Sequence, residues 1–570
     1  MLRHLPVTRA LACALALAAC TDASSTLTAP VPPDARTLAH DVAGDVAPPV
    51  GVQPRAALGA VAVVEPTLPA ELPVDERLAI TGRTFRPATT SELWAAIREA
   101  VPGDHILLRP GASYVGYFNL PRKAARTGFV TIRTDLPESE YPAGVRVTPA
   151  RATRLAKIVA QGRNDPAIRA HPGARGWRFV GVEITVHDSV KTLGAIVMLG
   201  DNSARVLDSI PSDIVFDRTY IHAWPHQGVT RCVFINSGRT ALLHSTISEC
   251  HRDGFDSYGV GGVSSPGPVR IENNRIEGAG MGIFTGGSDP KVPGLSPSDF
   301  VIRNNHVTRP AAWKGVHSVK NLLEFKHMKR ALVEGNLFEN NWKDAQSGMA
   351  ILFKSTNQQN RAPWSTTQDV TFRNNVVRNS PNGISIHASP EVYPVVPTAR
   401  IKIEKNLFYN IGSYAGTTGG RMIVMGGELK DIQLLNNTMI HNSPATHAVI
   451  SDPSSSLSAA RFRARANVLT LGTSGWMSSG KGQGIASLDH HWRDTWEFTG
   501  NVLIGDTRRP NYPVNTLFVA TLLDAGFTNP SIGDFSLLAS SPVRNQGTTG
   551  ADPGAPVATL LRHIARIAPP

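Results

Sequence analysis

Cysteine is scarce in this 570-residue chain, with four residues in all. Cys13 and Cys20 belong to the N-terminal leader, so only Cys232 and Cys250 remain for the mature protein. That number is too small for a disulfide-built scaffold. In an oxidising compartment these two can pair, and two buried free thiols are the alternative. Acid is in short supply relative to base, 45 Asp and Glu against 57 Lys and Arg, for a net charge of +12. Without Arg3 and Arg9 of the leader, about +10 remains. Such a surface favours acidic partners, here uronate polysaccharide, lipopolysaccharide or phospholipid head groups. The other reading is that the basicity reflects only the composition of the source. Several catalytic signatures are missing: there is no P-loop and no HExxH. The adjacent His490 and His491 of "DHHWRD" would point to opposite faces of a strand, which makes a poor metal site.

The apolar segment "ALACALALAA" is also too short to span a bilayer. With Arg3 and Arg9 before it, it has the form of an export signal over residues 1–19. "LAAC", Leu17 to Cys20, resembles the bacterial lipobox, which implies acylation of Cys20; a plain secretory signal cut nearby is the alternative. Two to three acyl chains would hold the protein to a membrane. In lipoproteins an Asp after the Cys retains the protein at the inner membrane. Thr21 stands there, so a lipid-anchored position at the outer membrane of the cell envelope is expected, with no nucleic acid partner. Residues 20–80, with "TAPVPPDA" and "VAPPVGVQP", read as an Ala/Pro-rich linker, expected to be disordered and to hold the folded part away from the lipid.

What the chain has in abundance is glycine, proline and an internal repeat. The 50 Gly and 42 Pro suit a loop-rich fold. The segments "VRIENNRIEGAG", "FVIRNNHVTRP", "ALVEGNLFENN", "VTFRNNVVRNS", "IKIEKNLFYNI", "IQLLNNTMIHNS", "FRARANVLTLG" and "WEFTGNVLIG" align on Asn274, Asn305, Asn336, Asn375, Asn406, Asn437, Asn467 and Asn501. The spacings are 31, 31, 39, 31, 31, 30 and 34 residues. Weaker copies, "WRFVGVEITVHD", "IVFDRTYIHAW" and "ALLHSTISECH", come before them. Each copy alternates apolar and polar residues, turns a polar corner, and resumes with an apolar residue. That is two short strands joined by a tight bend. One copy cannot bury its apolar side alone, but stacked copies form a continuous core. Asn tolerates the left-handed bend, and stacked Asn can bond from coil to coil.

This pattern resembles the right-handed parallel β-helix of the pectate-lyase-like superfamily, over roughly residues 85 to 550. The fold expected is all-β: a single-stranded solenoid of about eleven coils over residues 81–550, with a short N-terminal capping helix and a C-terminal tail at 551–570. In "ATTSELWAAIREAVPGDHILL", Thr89 and Glu92 have capping-box spacing. Leu93, Ala96, Ile97 and Ala100 form a helical stripe that Pro102-Gly103 ends. The cap is similar to that of carbohydrate-active β-helices, including the alginate lyase and chondroitinase B family. "DFSLLASSPVRNQGTTGADPGA" resembles the closing segment of extracellular β-helices.

A further strand precedes each corner: "GFDSY", "GIFTG", "LLEFKH", "MAILFKS" and "GISIHAS". With Phe255, Ser257, Ile283, Thr285, Leu323, Phe325, Ile351, Phe353, Ile384 and Ile386 inward, two outward columns follow. One is Asp256, Phe284, Glu324, Leu352 and Ser385; the other is Tyr258, Gly286, Lys326, Lys354 and His387. In carbohydrate-active β-helices such a face forms the substrate groove. A uronate lyase must neutralise a carboxylate and remove the C5 proton, work that Lys or His can do. Stacked lysines make a neutral amine more accessible. Asp253, Asp256 or Glu324 could act as an acid or bind calcium, and Tyr258 could protonate the leaving oxygen. The alginate lyase and chondroitinase B family places acidic calcium ligands just before its catalytic Lys; here Glu324 precedes Lys326 with no second acid close by. Trp313, Trp342 and Trp364 could stack on sugar rings. The bland alternative is a solvated Glu324–Lys326 surface pair and loop tryptophans packed over the coils. The paired Asp and "GHG" of polygalacturonase-type hydrolases do not occur, and Arg400-Ile401-Lys402 falls inside a repeat strand. Two functions follow: a polysaccharide lyase or related enzyme, or a non-catalytic carbohydrate-binding or cell-envelope protein. A monomer is expected.

Overall fold

The computed structural model describes residues 61–123, 128–388, 393–453, 459–505 and 509–568. The leader, Cys20 and residues 21–60 of the expected linker lie outside the described residues. The chain winds as a right-handed parallel β-helix with three strands per coil. One coil runs through Met281–Thr285, Ser298–Arg303 and His306–Thr308, the next through Asn321–Phe325, Met328–Glu334 and Leu337–Glu339. We call the three faces the first, second and third sheets. Successive coils pair parallel on all three. Among the described residues, the first and second sheets join in a twenty-six-stranded hydrogen-bonded surface, and the third has fourteen strands. Fourteen exceeds the about eleven coils read from the repeats, because outer strands such as Ser113–Val115 and Ala156–Ala160 carry no Asn corner.

The register stacks like on like. Ile283, Leu323, Ile351, Ile384 and Ile423 form one inward column, and Ile302, Val333, Phe372, Ile403 and Leu434 another. All ten are buried. Phe325 stacks on Phe353 with ring centroids 5.5 Å apart. Each such side chain contributes roughly 1.5–3 kcal/mol by leaving water.

The corner between the second and third sheets is an amide ladder. Asn406 Oδ1 accepts from Asn375 Nδ2 at 3.1 Å and from the Asn375 N–H at 2.9 Å. Its Nδ2 donates to Asn437 Oδ1 at 3.0 Å and to the Phe372 carbonyl at 2.9 Å. The buried carboxamide is thus fully satisfied, as burial demands. The chain of amides runs from Asn274 to Asn501. Hydroxyls extend it into the weaker copies: Ser245 N–H donates to Asn274 Oδ1 and Thr219 N–H to Ser245 Oγ, both at 2.9 Å. The left-handed bend sits one residue before each ladder position. Asn304, Asn374, Lys405, Asn436 and Ala466 have φ between 50° and 59°, so the ladder Asn itself is selected for its amide rather than for the bend.

A second ladder lies at the corner between the first and second sheets. Asp299, Arg330, Asp369, Arg400, Asp431 and Arg461 alternate on successive coils, each with positive φ. Arg330 pairs with Asp299 at 2.5 Å, Arg400 with Asp369 at 2.6 Å and Arg461 with Asp431 at 2.6 Å. The same three acids hold the segment just before the cap. Val64, Thr67 and Ala70 donate their N–H groups to Asp431, Asp369 and Asp299 at 2.9, 3.1 and 3.0 Å. Three extended residues span about 10 Å, and two coils rise about 9.6 Å, so the strap reads every second coil. Glu71 adds a pair to Arg303 at 2.8 Å, and Leu72 is buried with Val215, Ala241 and Leu243. Residues 61–80, expected in the linker, are therefore laid along the second sheet.

Helix α1, Thr90–Glu99, caps the first coil with Leu93, Ala96 and Ile97 buried; Thr89 Oγ1 accepts from the Glu92 N–H at 3.2 Å. Among the described residues two α-helices lie outside this cap. Helix α2, Ile485–Trp492, carries His490 and His491, which are helical neighbours rather than strand residues; His491 is buried with Nδ1 2.6 Å from Ser451 Oγ. Helix α3, Val557–Ile567, falls in the expected tail and packs Val557, Leu560 and Ile564 on Leu337, Val376 and Leu407 outside the third sheet. Cys232 and Cys250 form a disulfide, with Cα atoms 5.5 Å apart.

Candidate functional site on the first sheet

The outer face of the first sheet is bordered by the loops that enter and leave it. Its central column is set by register: Phe284, Glu324, Leu352, Ser385 and Val424 are successive partners. In the next column Lys354 pairs with His387 and His387 with Gly426; Lys326 stands one coil earlier, just beyond the pair Phe325–Phe353. Two glycines make room for these side chains. A Cβ on Gly286 would lie 2.8 Å from Lys326 Cβ, and one on Gly426 would lie 2.5 Å from His387 Nδ1.

The Glu324–Lys326 pair is not solvated. Glu324 is 0% exposed, Lys326 Nζ lies 3.0 Å from its Oε1, and the Lys326 side chain is 15% exposed. Lys326 Nζ also sits 5.6 Å from the centroid of the Phe284 ring. Among the described residues, no hydrogen-bond donor reaches Glu324 Oε2. The pair is therefore a buried charge cluster between Phe284 and Leu352.

Asp256 and Tyr258 leave the columns assigned to them. The strand of their coil is Tyr258–Gly262, so Gly261, not Asp256, aligns with Phe284, and Tyr258 aligns with Met281. Phe255 and Ser257 precede this strand and do not point inward from it. The Gly-Phe-Asp-Ser-Tyr sequence imitates the alternation of its neighbours, while the true strand is rich in Gly. Tyr258 is buried, its Oη accepts from Arg231 Nε at 3.0 Å, and burial raises its hydroxyl pKa, so it is not an accessible acid. Asp256 stays on the preceding loop, paired with Lys320 at 2.5 Å.

That loop side carries a second cluster. His251 and His317 stack at 3.8 Å with Trp313 edge-on to both. His317 Nδ1 lies 2.8 Å from Asp253, and His251 Nε2 lies 2.9 Å from Glu249. Asp253, Asp256 and Glu324 thus have separate partners, and among the described residues no three His, Cys, Asp or Glu side chains converge as a metal site. Trp313 and Trp342 are buried together with Ala279 and Val319, so they pack the loop layer and present no ring to a sugar.

Trp364 differs. It is half-buried, donates Nε1 to the Leu295 carbonyl at 2.8 Å, and lines a cleft of about 300 Å³ with Arg205, Lys291 and Arg361. Asp289 builds the wall: its carboxylate accepts the N–H groups of Gln358, Gln359 and Arg361 at 2.7–3.0 Å, tying two loops together. Arg205 is shared with a second cleft of about 370 Å³ toward the N-terminal coils, over Asn119, Arg169 and Met198. Sequence reading missed these cations because they come from loops and strands far apart in the chain. The only signal for them was the surplus of base.

The family description "Right handed beta helix region" matches residues 231–439. No curated protein matches the chain. Among solved structures, the PL6 family alginate lyase AlyGC is similar with a TM-score of 0.49 and 12% identity, over 83% of this chain and 57% of that one. This chain therefore spans little more than half of that lyase. The PL6 family polysaccharide lyase of Pseudopedobacter saltans gives 0.45 and 13%, over 75% of this chain and 95% of that one. A tailspike protein double mutant of the E. coli bacteriophage HK620, in complex with a pentasaccharide, gives 0.45 and 8%, over 77% and 64%. At these identities the likeness says nothing of chemistry. The strand register makes the fold a right-handed parallel β-helix, and the family description matches its residues 231–439.

Proposed function

We propose that the outer face of the first sheet binds an acidic polysaccharide and cleaves it by β-elimination. The observation that carries this is the buried Glu324–Lys326 pair at the centre of the face, with Lys354 and His387 on the two coils that follow. Burying an ion pair costs desolvation that an apolar pair would not, so its place on the outer face of the sheet supports use rather than stability. Lys326, held by Glu324, supplies a fixed positive charge for the uronate carboxylate. That charge acidifies the C5 proton, which Lys354 or His387 takes. The C5–H electron pair then forms the C4–C5 double bond as the C4–O bond breaks, and the leaving oxygen takes a proton from solvent.

Purified protein mixed with alginate, polygalacturonate, hyaluronan and neutral dextran tests the reading. Ultraviolet absorbance from new double bonds with at least one uronate polymer, and none with dextran, is expected. Binding without absorbance would leave a carbohydrate-binding protein, and neither would overturn the proposal. An exported, lipid-anchored position at the outer membrane belongs to the same proposal. Cys20→Ser should move the protein out of the membrane fraction, and unchanged fractionation would refute the anchor.

A further inference from the structure

Resting on that reading, we propose that the cleft over Asn119, Arg169 and Met198 is a second uronate-binding subsite, which grips the polymer away from the reacting centre. These three residues are register partners on successive coils. Their column continues through Phe234, Gly261 and Phe284 to Glu324. Arg169 and Glu324 therefore lie in one column of the first sheet, five coil steps or about 24 Å apart. A polymer following the solenoid axis passes from Arg169 to Lys326, the partly exposed partner of Glu324.

The cleft holds unmatched polar atoms. Arg169 Nε and Asn119 Oδ1 are buried, and among the described residues neither has a hydrogen-bond partner. A buried donor and a buried acceptor left unpaired are costly, and a ligand offering a carboxylate and a hydroxyl on one ring would satisfy both. Uronate sugars have that combination. The guanidinium fork suits a planar carboxylate, and Tyr117 lines the same cleft with an aromatic ring.

Charge points the same way. Along the corner ladder the arginines answer acids, as Arg330 answers Asp299 and Arg400 answers Asp369. Among the described residues Arg169, Arg205 and Lys291 make no ion pair, and Arg205 links this cleft to the one that holds Lys291 and Trp364. Asp201 is the acid of the lining, and its Oδ1 accepts from the N–H and hydroxyl of Ser203. The cleft is therefore positive before any ligand arrives. At about 370 Å³ it falls within the size range of small-ligand sites.

The experiment is calorimetric binding of the uronate polymer from the panel that wild-type protein prefers, as long chains and as trisaccharides. Dextran sulfate and dextran serve as sulfated and neutral controls. Wild-type protein should bind long chains more tightly than trisaccharides. In Arg169→Gln/Arg205→Gln that gap should close, with long-chain affinity falling about tenfold or more. Arg169→Lys should recover only part of it, because an ammonium lacks the planar fork. Melting curves check that the variants fold, and Lys326→Ala is measured beside them. Long-chain affinity unchanged in the double variant but reduced in Lys326→Ala would overturn the subsite and leave the central reading standing. No uronate polymer bound by wild-type protein would overturn both, as would tight binding of dextran sulfate alone.

Discussion

The backbone N–H of Thr67 donates to Asp369 Oδ1 at 3.1 Å, across 302 residues of sequence. Asp369 also holds Arg400, so one carboxylate fixes both the strap and the corner ladder. Asp369→Ala should cost roughly 1–3 kcal/mol, because it leaves a guanidinium and an N–H without their acceptor. Chemical denaturation measures the loss. Limited proteolysis should cut within residues 61–80 faster in the variant; equal cutting rates and equal stability would mean that the strap is not held there.

The same acids give the molecule an acid limit. Burial pushes the Asp299 and Asp369 carboxyls up, but Arg330 and Arg400, with the Ala70 and Thr67 N–H groups, outweigh it and hold both below the usual Asp range. A lowered folded-state pKa means that the unfolded chain binds more protons. The stability is therefore complete above the ordinary Asp value of about 3.9, and it is lost as pH falls through the lower folded value. The Tm gap between wild type and Asp369→Asn should be open at neutral pH and close in stronger acid. A gap that stays constant down to that range would contradict the linkage.

Asn406 stands mid-ladder, and its carboxamide makes four hydrogen bonds to neighbouring coils. Asn406→Ala strands the Asn375 N–H, one Asn375 amide hydrogen and the Phe372 carbonyl on the preceding coil, while Asn437 Oδ1 keeps only the backbone N–H of residue 406. A loss of roughly 2–4 kcal/mol is expected, from more than one unpaired buried group at about 1–3 kcal/mol each. Calorimetric unfolding of near wild-type character would show that the ladder carries no such weight.

The repeat made the solenoid legible because a parallel register forces like residues to stack, so Asn274 to Asn501 announce themselves by spacing alone. The alternating Asp299, Arg330, Asp369, Arg400, Asp431 and Arg461 keep the same spacing, yet they alternate in charge and read as ordinary surface residues. The strap was illegible for another reason. "VAVVEPTLPAEL" has the composition of a linker, and its partners lie hundreds of residues downstream. In the site, the column from Phe284 to Ser385 followed from alternation, while the glycine-rich strand Tyr258–Gly262 did not, which misplaced Asp256 and Tyr258. Burial of Glu324, Trp313 and Trp342 depends on loops from other coils, which periodicity does not report.

The most direct test of the central claim is steady-state elimination on the preferred uronate polymer by wild type, Lys326→Ala, Lys354→Ala and the double variant, with Tm recorded for each. The account predicts that either single change removes most of kcat/KM, that the double variant is scarcely worse than the poorer single one, and that the Lys354→Ala Tm stays close to wild type. Lys326→Ala should lower Tm somewhat, because it leaves the buried Glu324 carboxylate without its cation. Full activity in both single variants, with folding intact, would contradict the assignment of this face as the reacting centre.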